Sequence, residues 1–169
     1  MRVKIDFDLK VNKIIKSLIL VDLFLFAGWG LVQPVFSIFI IRSIQGATLV
    51  TVGFAGAIYW IVKSVVQLPV ASYLDKRQGE RDDFYALVVS LLLLGVAAFI
   101  FTLIGQIWQL YLLQIFFALA FALYTPAWSG IFSRHLDKEH HSFDWSLDSA
   151  VLGLAAGLSG AIGGVLTEV

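Results

Sequence analysis

Residues 84–133 read FYALVVSLLLLGVAAFIFTLIGQIWQLYLLQIFFALAFALYTPAWSGIFS, fifty residues without a charged side chain. A helix crosses the hydrocarbon core of a bilayer with about 20 residues. The run is therefore too long for one crossing and long enough for two. Its polar cluster, Gly105-Gln106-Ile107-Trp108-Gln109, lies near the middle, and a short hairpin there divides the run into two spans. Lipid admits only helices and closed barrels, because every backbone polar group must be satisfied internally. Leu91-Leu92-Leu93-Leu94 lacks the polar–apolar alternation of a barrel strand, which leaves helices.

Outside this run the charges again mark the edges. Leu23–Ile41 and Ser43–Val62 are charge-free, Lys63 interrupts, Ser64–Leu74 is free again, and after Asp148 no charge occurs before Glu168. Five spans follow, near 17–41, 50–74, 84–104, 108–133 and 145–167, forming a single transmembrane bundle over residues 1–169. The expected fold class is an all-α membrane protein. Of the 169 residues 59% are hydrophobic and 14% charged, against roughly 25% charged in a soluble domain. That excludes an ordinary soluble domain, and high hydrophobicity excludes disorder. Twelve Lys and Arg balance twelve Asp and Glu, so no net charge draws the chain to nucleic acid. The absence of Cys removes disulfides, thiolate metal sites and Cys nucleophiles. The apolar run after Lys16 is too long for a cleavable signal.

Cytoplasmic loops carry the excess of Lys and Arg. In a five-span chain Arg2, Lys4, Lys10, Lys13, Lys16, Lys76, Arg77, Arg81, Arg134 and Lys138 fall on one side, with Arg42 alone on the other. The N-terminus is thus expected in the cytoplasm and Glu168 outside.

The spans differ in their polar faces. In span 1, Asp22, Phe26, Trp29, Gln33 and Ser37 recur at intervals of 3 or 4, which is one helical face. Span 2 repeats Tyr59, Lys63 and Gln67; span 4 repeats Tyr111, Gln114, Ala118, Phe121, Thr125 and Trp128. Span 3 offers only Ser90 and Thr102 and reads as lipid-facing. Gly153, Gly157, Gly160 and Gly164 line one face of span 5, a spacing that lets a neighbouring helix approach closely.

Asp22 and Lys63 are charges inside spans 1 and 2, and intramembrane charges mark functional sites by default. At 1.5 Å per residue they differ by about 7 Å in depth, so a long Lys stem brings a pair within reach. The other reading leaves Asp22 interfacial and Lys63 snorkelling to water. Gln33-Pro34 and Tyr124-Thr125-Pro126-Ala127-Trp128 place Pro kinks beside polar and aromatic groups. Trp108 and Trp145 read as interface anchors, a role also open to Trp128. His135, His140 and His141, near Asp137 and Glu139, lack the spacing of a zinc site. Asp144 and Asp148 complement the helix dipole at the start of span 5. No phosphate loop, Ser/His/Asp arrangement or paired-carboxylate site is present, so no enzyme, cofactor or metal is expected.

The stretch Ser72-Tyr73-Leu74-Asp75-Lys76-Arg77-Gln78-Gly79-Glu80-Arg81 resembles the loop between helices 2 and 3 of the major facilitator superfamily. The family pattern is roughly Gly-x-Leu-Ala-Asp-Arg/Lys-x-Gly-Arg-Arg/Lys. Asp75 and Lys76 fall on its acidic and first basic positions, Gly79 and Arg81 match with one residue inserted, and Ala71 replaces the opening Gly. Span order and loop lengths extend the resemblance along the chain. Two family patterns are missing. The helix-4 Arg-x-x-x-Gly, whose Arg is tied to proton coupling, meets Gln114 and Ala118. The Gly-Pro step of drug/proton antiporters meets Gly160-Ala161-Ile162-Gly163-Gly164, so drug antiport is not implied.

The resemblance implies the N-terminal part of a secondary transporter in the plasma or inner membrane. Whole members have two six-helix halves that rock about a midplane site; on that pattern the chain is a fragment lacking its sixth span and its C-terminal half. Its partners would be the lipid bilayer, a small-molecule solute, alone or with a coupling ion, and the missing half. In that family helices 1 and 4 line the cavity and helix 3 lies outside it. The expected cavity residues are Asp22, Trp29, Gln33, Tyr59, Lys63, Gln67, Gln114, Tyr124 and Thr125. Asp75, Lys76, Gly79 and Arg81 would form a cytoplasmic gating loop. A non-transporting membrane scaffold or accessory subunit is the alternative, its polar stripes serving only to hold helices together.

The orientation is directly testable, since the chain has no Cys of its own. A Cys placed at Gln78 should resist an impermeant thiol reagent in intact cells and react after permeabilisation. Reaction in intact cells would overturn the charge-based topology.

Overall fold

The first helix begins where the side chain of Asn12 accepts a hydrogen bond from the Ile14 amide at 3.0 Å, satisfying one of the free donors of a helix start. The computed structural model describes residues 11–77, 79–136 and 140–166. Arg2, Lys4, Lys10, Gln78, Asp137, Lys138, Glu139 and Glu168, all used above, lie outside the described residues. Among those described there are five helices and no strand: α1 Lys13–Ser43, α2 Leu49–Lys76, α3 Glu80–Phe101, α4 Ile107–His135 and α5 His141–Leu166. Each is long and apolar enough to cross a membrane, which makes the chain an all-helical protein of the membrane-spanning class.

The helix ends follow local chemistry. Between α1 and α2 the chain turns at Gly46, whose φ of 76° is open to glycine at little cost. Thr48 then starts α2, its amide donating to Thr51 Oγ1 at 3.1 Å. The break in the fifty-residue run falls at residues 102–106, slightly ahead of the expected hairpin. Gln109 Oε1 decides its position by accepting from the amides of Gly105 at 2.9 Å and Gln106 at 3.1 Å. The α3 start carries Glu80, Asp82 and Asp83, and the α4 end carries Arg134 and His135, each the sign that its helix terminus favours.

Packing centres on α4. It lies against α2 and α3, while α1 lies against α5 and meets α4 less closely; α1 and α2 barely touch. The α4 residues Phe117, Ala118, Phe121, Ala122, Tyr124, Ala127, Trp128 and Phe132 are all buried. Against this surface α3 buries Asp83, Leu87, Ser90, Leu94 and Ala97, a stripe at intervals of 3 and 4. Helix α3 is thus not purely lipid-facing. Its contact stripe is almost as apolar as its lipid face, because the membrane asks the same hydropathy of both.

The parallel pair α1 and α5 closes the bundle. A Cβ at Gly30 would lie 2.9 Å from the Ala156 carbonyl oxygen and 3.0 Å from its Cα, and one at Gly163 would meet the Leu31 backbone. Gly160 faces the Gly30 carbonyl at an ordinary 3.7 Å, whereas a Cβ at Gly153 or Gly157 would meet nothing within 4 Å; Gly164 is half-buried. The closest face of α5 is therefore Ala156, Ser159, Gly160 and Gly163. It shares Gly160 with the stripe of Gly153, Gly157, Gly160 and Gly164 and is rotated about one position from the rest.

This seam sets a stability expectation. Gly163→Val and Gly30→Val should each cost about 1–3 kcal/mol through overpacking. Gly157→Ala should be neutral or stabilising by up to about 1 kcal/mol through helix propensity. Thermal unfolding in detergent distinguishes them, and equal melting of Gly163→Val and Gly157→Ala would contradict the seam.

Candidate solute and ion site

Side chains from three helices meet on one face of α4 around Phe121. From α1, Trp29 sets its ring edge-on to Phe117 at 6.0 Å and Phe121 at 6.5 Å. From α2, Tyr59 meets Phe121 at 6.0 Å with the rings nearly perpendicular. Tyr124, one turn along α4, lies edge-on to Phe121 at 6.1 Å. Lys63 points its ammonium at two ring faces, 5.2 Å from the Trp60 centroid and 5.7 Å from that of Phe121. Aromatic quadrupoles attract a cation most where water is scarce, so half-buried Lys63 is held by rings.

Asp22 has a different partner. It is 4% exposed and accepts a hydrogen bond from the Tyr124 hydroxyl. The direct Asp22–Lys63 pair allowed by helical depth is not formed. The reason lies in the packing: α1 and α2 barely touch, and Phe121 and Tyr124 of α4 engage the two charges separately. Trp29, Tyr59, Lys63, Asp22 and Tyr124 thus share one centre.

The remaining expected cavity residues spread outward. Gln114 is buried on α4, Gln67 is half-buried one turn from Lys63, and Gln33 is exposed on α1. Half-buried Thr125 donates to the Phe121 carbonyl at 2.9 Å, which turns its hydroxyl back onto its own helix. A cavity of about 560 Å³ adjoins the centre between α1, α3 and α4, with Gly28, Trp29, Leu94, Gly95 and Phe121 among its walls. Its walls contain no charged or amide side chain. The polar centre and this cavity share the rings of Trp29, Phe117 and Phe121. Trp128, open to an anchoring role by sequence, is buried and stacks on Phe132 at 4.5 Å; Trp108 and Trp145 are exposed.

At the end of the bundle that carries the α2–α3 connection, Asp75, Lys76, Gly79 and Arg81 are all exposed. Gly79 is the residue before α3. Arg77 links the two helices by its ion pair with Asp82 at 3.7 Å and lies over the Tyr73 ring at 4.9 Å. Behind this exposed loop, buried Asp83 pairs with Arg134. Arg134 also lies 4.0 Å from Glu80, and His135 Nε2 lies 3.2 Å from the same carboxylate. Sequence reading passed over this network, although a signal exists: Asp83 and Arg134 are the charges that bound the fifty-residue run, and a hairpin of two matched helices brings its ends together.

No curated protein and no solved structure matches the chain. A family profile does, over residues 18–169. That span takes in all of α2 to α5, most of α1, the aromatic centre and the connecting loop. The chain therefore belongs to the Major Facilitator Superfamily, and it is a multi-pass membrane protein of transporter type.

Proposed function

We propose that the chain forms the N-terminal part of a secondary transporter that moves a small solute across the plasma or inner membrane by alternating access. The observation that carries this reading is the convergence of Asp22, Trp29, Tyr59, Lys63 and Tyr124 around Phe121 inside an otherwise apolar bundle. Polar groups inside a membrane are costly and persist where they face protein or a watery path. Ring faces and one ammonium suit a solute with an apolar body and an anionic or hydrogen-bonding end. A second bundle, facing the polar side of α1, α2 and α4, would complete the pathway. The exposed loop of Asp75, Lys76, Gly79 and Arg81 would contact that second bundle in one state and release it in the other.

The test is solute uptake by the natural protein bearing this sequence, reconstituted in vesicles and screened across solute classes. Lys63→Gln should lower uptake of the transported solute about tenfold, equivalent to about 1.4 kcal/mol. Phe121→Ala should do the same. Because the two side chains act on each other, the double variant should lose less than the product of the two. Multiplicative losses would dissolve the aromatic–ammonium centre.

The loop makes a separate prediction. A contact present in one state shifts the equilibrium between states by its differential free energy. Asp75→Asn should therefore slow uptake while leaving solute affinity nearly unchanged. Unchanged uptake at normal expression would remove Asp75 from the gate.

A further inference from the structure

We propose that His135, at the end of α4, is a proton-operated clamp that holds the start of α3 against α4 only while both of its ring nitrogens carry hydrogen. The inference stands on the packing of this end of the bundle and goes beyond the transport reading.

His135 sits where three helices meet. It is the last residue of α4, and its side chain is 18% exposed. Its carbonyl accepts from the Asn12 side chain, at the start of α1, at 3.4 Å. Its Nδ1 lies 3.0 Å from the Ile131 carbonyl oxygen, one turn back on its own helix. Its Nε2 lies 3.2 Å from Oε1 of Glu80, the first residue of α3.

Both partners can only accept. Neither a carbonyl nor a carboxylate has a hydrogen to give, whereas a neutral imidazole carries one N–H and one bare lone pair. A neutral ring therefore turns its lone pair toward oxygen at one of the two contacts. The imidazolium alone donates at both. The surroundings favour that cation, since a helix C-terminus is the negative end of its dipole and Glu80 adds an acidic group. The other charges at this end are engaged with each other. Buried Asp83 of α3 is paired with Arg134 of α4, which also lies 4.0 Å from Glu80, and Arg77, after α2, is paired with Asp82. From α1 the facing group is the uncharged Asn12. At the start of α5 the acidic group is buried Asp144, engaged in an interaction of its own.

Loss of the proton selects which contact goes. The Ile131 carbonyl is fixed on the same helix as the ring, so the remaining hydrogen stays on Nδ1. The proton leaves Nε2 for water, and the lone pair left behind faces the carboxylate of Glu80. The Glu80 side chain is 52% exposed and turns out to solvent. Helix α3 keeps its Asp83–Arg134 pair, but its first residue, directly after Gly79 of the exposed connection, is released. Histidine is the side chain that changes charge between about pH 5 and pH 8. The clamp is therefore closed at the acid end of that range and open at the alkaline end.

NMR of the purified natural protein, with isotope-labelled His, reads the ring directly. The His135 signals are those lost in His135→Phe, or in His135→Gln if the Phe variant does not fold. The expected result is two protonated ring nitrogens at about pH 5 and a neutral ring with its hydrogen on Nδ1 at about pH 8. A neutral ring with its hydrogen on Nε2 would overturn the proposal, since it keeps Glu80 bound without the second proton. Melting temperatures of the wild type, His135→Phe, Glu80→Gln and the double variant give the coupling between the two residues. At about pH 5 each single variant should melt a few degrees lower and the double variant no lower than either; at about pH 8 the coupling should vanish. Equal coupling at both pH values, or none at either, would overturn the clamp. Uptake separates this inference from the transport reading. Coupling that depends on pH, with uptake indifferent to pH, keeps the clamp and counts against the loop as a gate. Absent coupling with pH-dependent uptake counts against the clamp alone.

Discussion

Helices in lipid gain nothing from hiding apolar surface, because the solvent is as apolar as they are. Association rests instead on close packing and on polar contacts that have no alternative partner. Helix α4 provides both. Ala118, Ala122 and Ala127 keep parts of its surface low, and Phe117, Phe121, Trp128 and Phe132 fill the gaps between helices. Tyr124 and Arg134 then fix two neighbours by single polar contacts, to Asp22 of α1 and Asp83 of α3. Without α4, α2 and α3 would lose their main packing partner and Asp22 its phenol.

Polar groups sort into two levels of this scaffold. Near one end, Glu80, Asp83, Arg134 and His135 tie α3 to α4, and Asn12 at the start of α1 donates to the His135 carbonyl at 3.4 Å. Deeper in the bundle, Asp22 is held by Tyr124 of α4 and Lys63 by the rings of Trp60 and Phe121, rather than by each other. A buried ion pair made of these two would have balanced its charges internally. Their separation leaves an ammonium over aromatic rings and a carboxyl on a phenol, each still able to respond to a charged species nearby.

The helices were legible in the sequence because bilayer thickness sets their length and charges mark their ends. Residues 84–133 gave two helices and the position of the break to within a few residues, with Gln109 settling the rest through its amide contacts. Helical faces were legible where polar and aromatic residues recur: Trp29, Tyr59 and Lys63 converge on Phe121 of the α4 stripe. They were illegible where packing and lipid demand the same side chains, as on α3 and on the glycine-rich face of α5. Partner identity was harder still. Depth along two helices brought Asp22 and Lys63 close on paper, but which helix stands between them is a tertiary fact.

The order in which the helices are made gives the α1 seam a consequence during synthesis. Asp22 and the Tyr124 that donates to it are 102 residues apart, and Gly30 meets its α5 neighbours only after a longer stretch still. At translation rates of roughly 5–20 residues per second, α1 waits about 5–20 s for its phenol. Throughout that interval it carries a carboxyl without its final partner and a glycine notch without its filling helix. Lipid is a poor place to wait in that condition. The close packing of α1 is therefore completed only once α4 and α5 have been made.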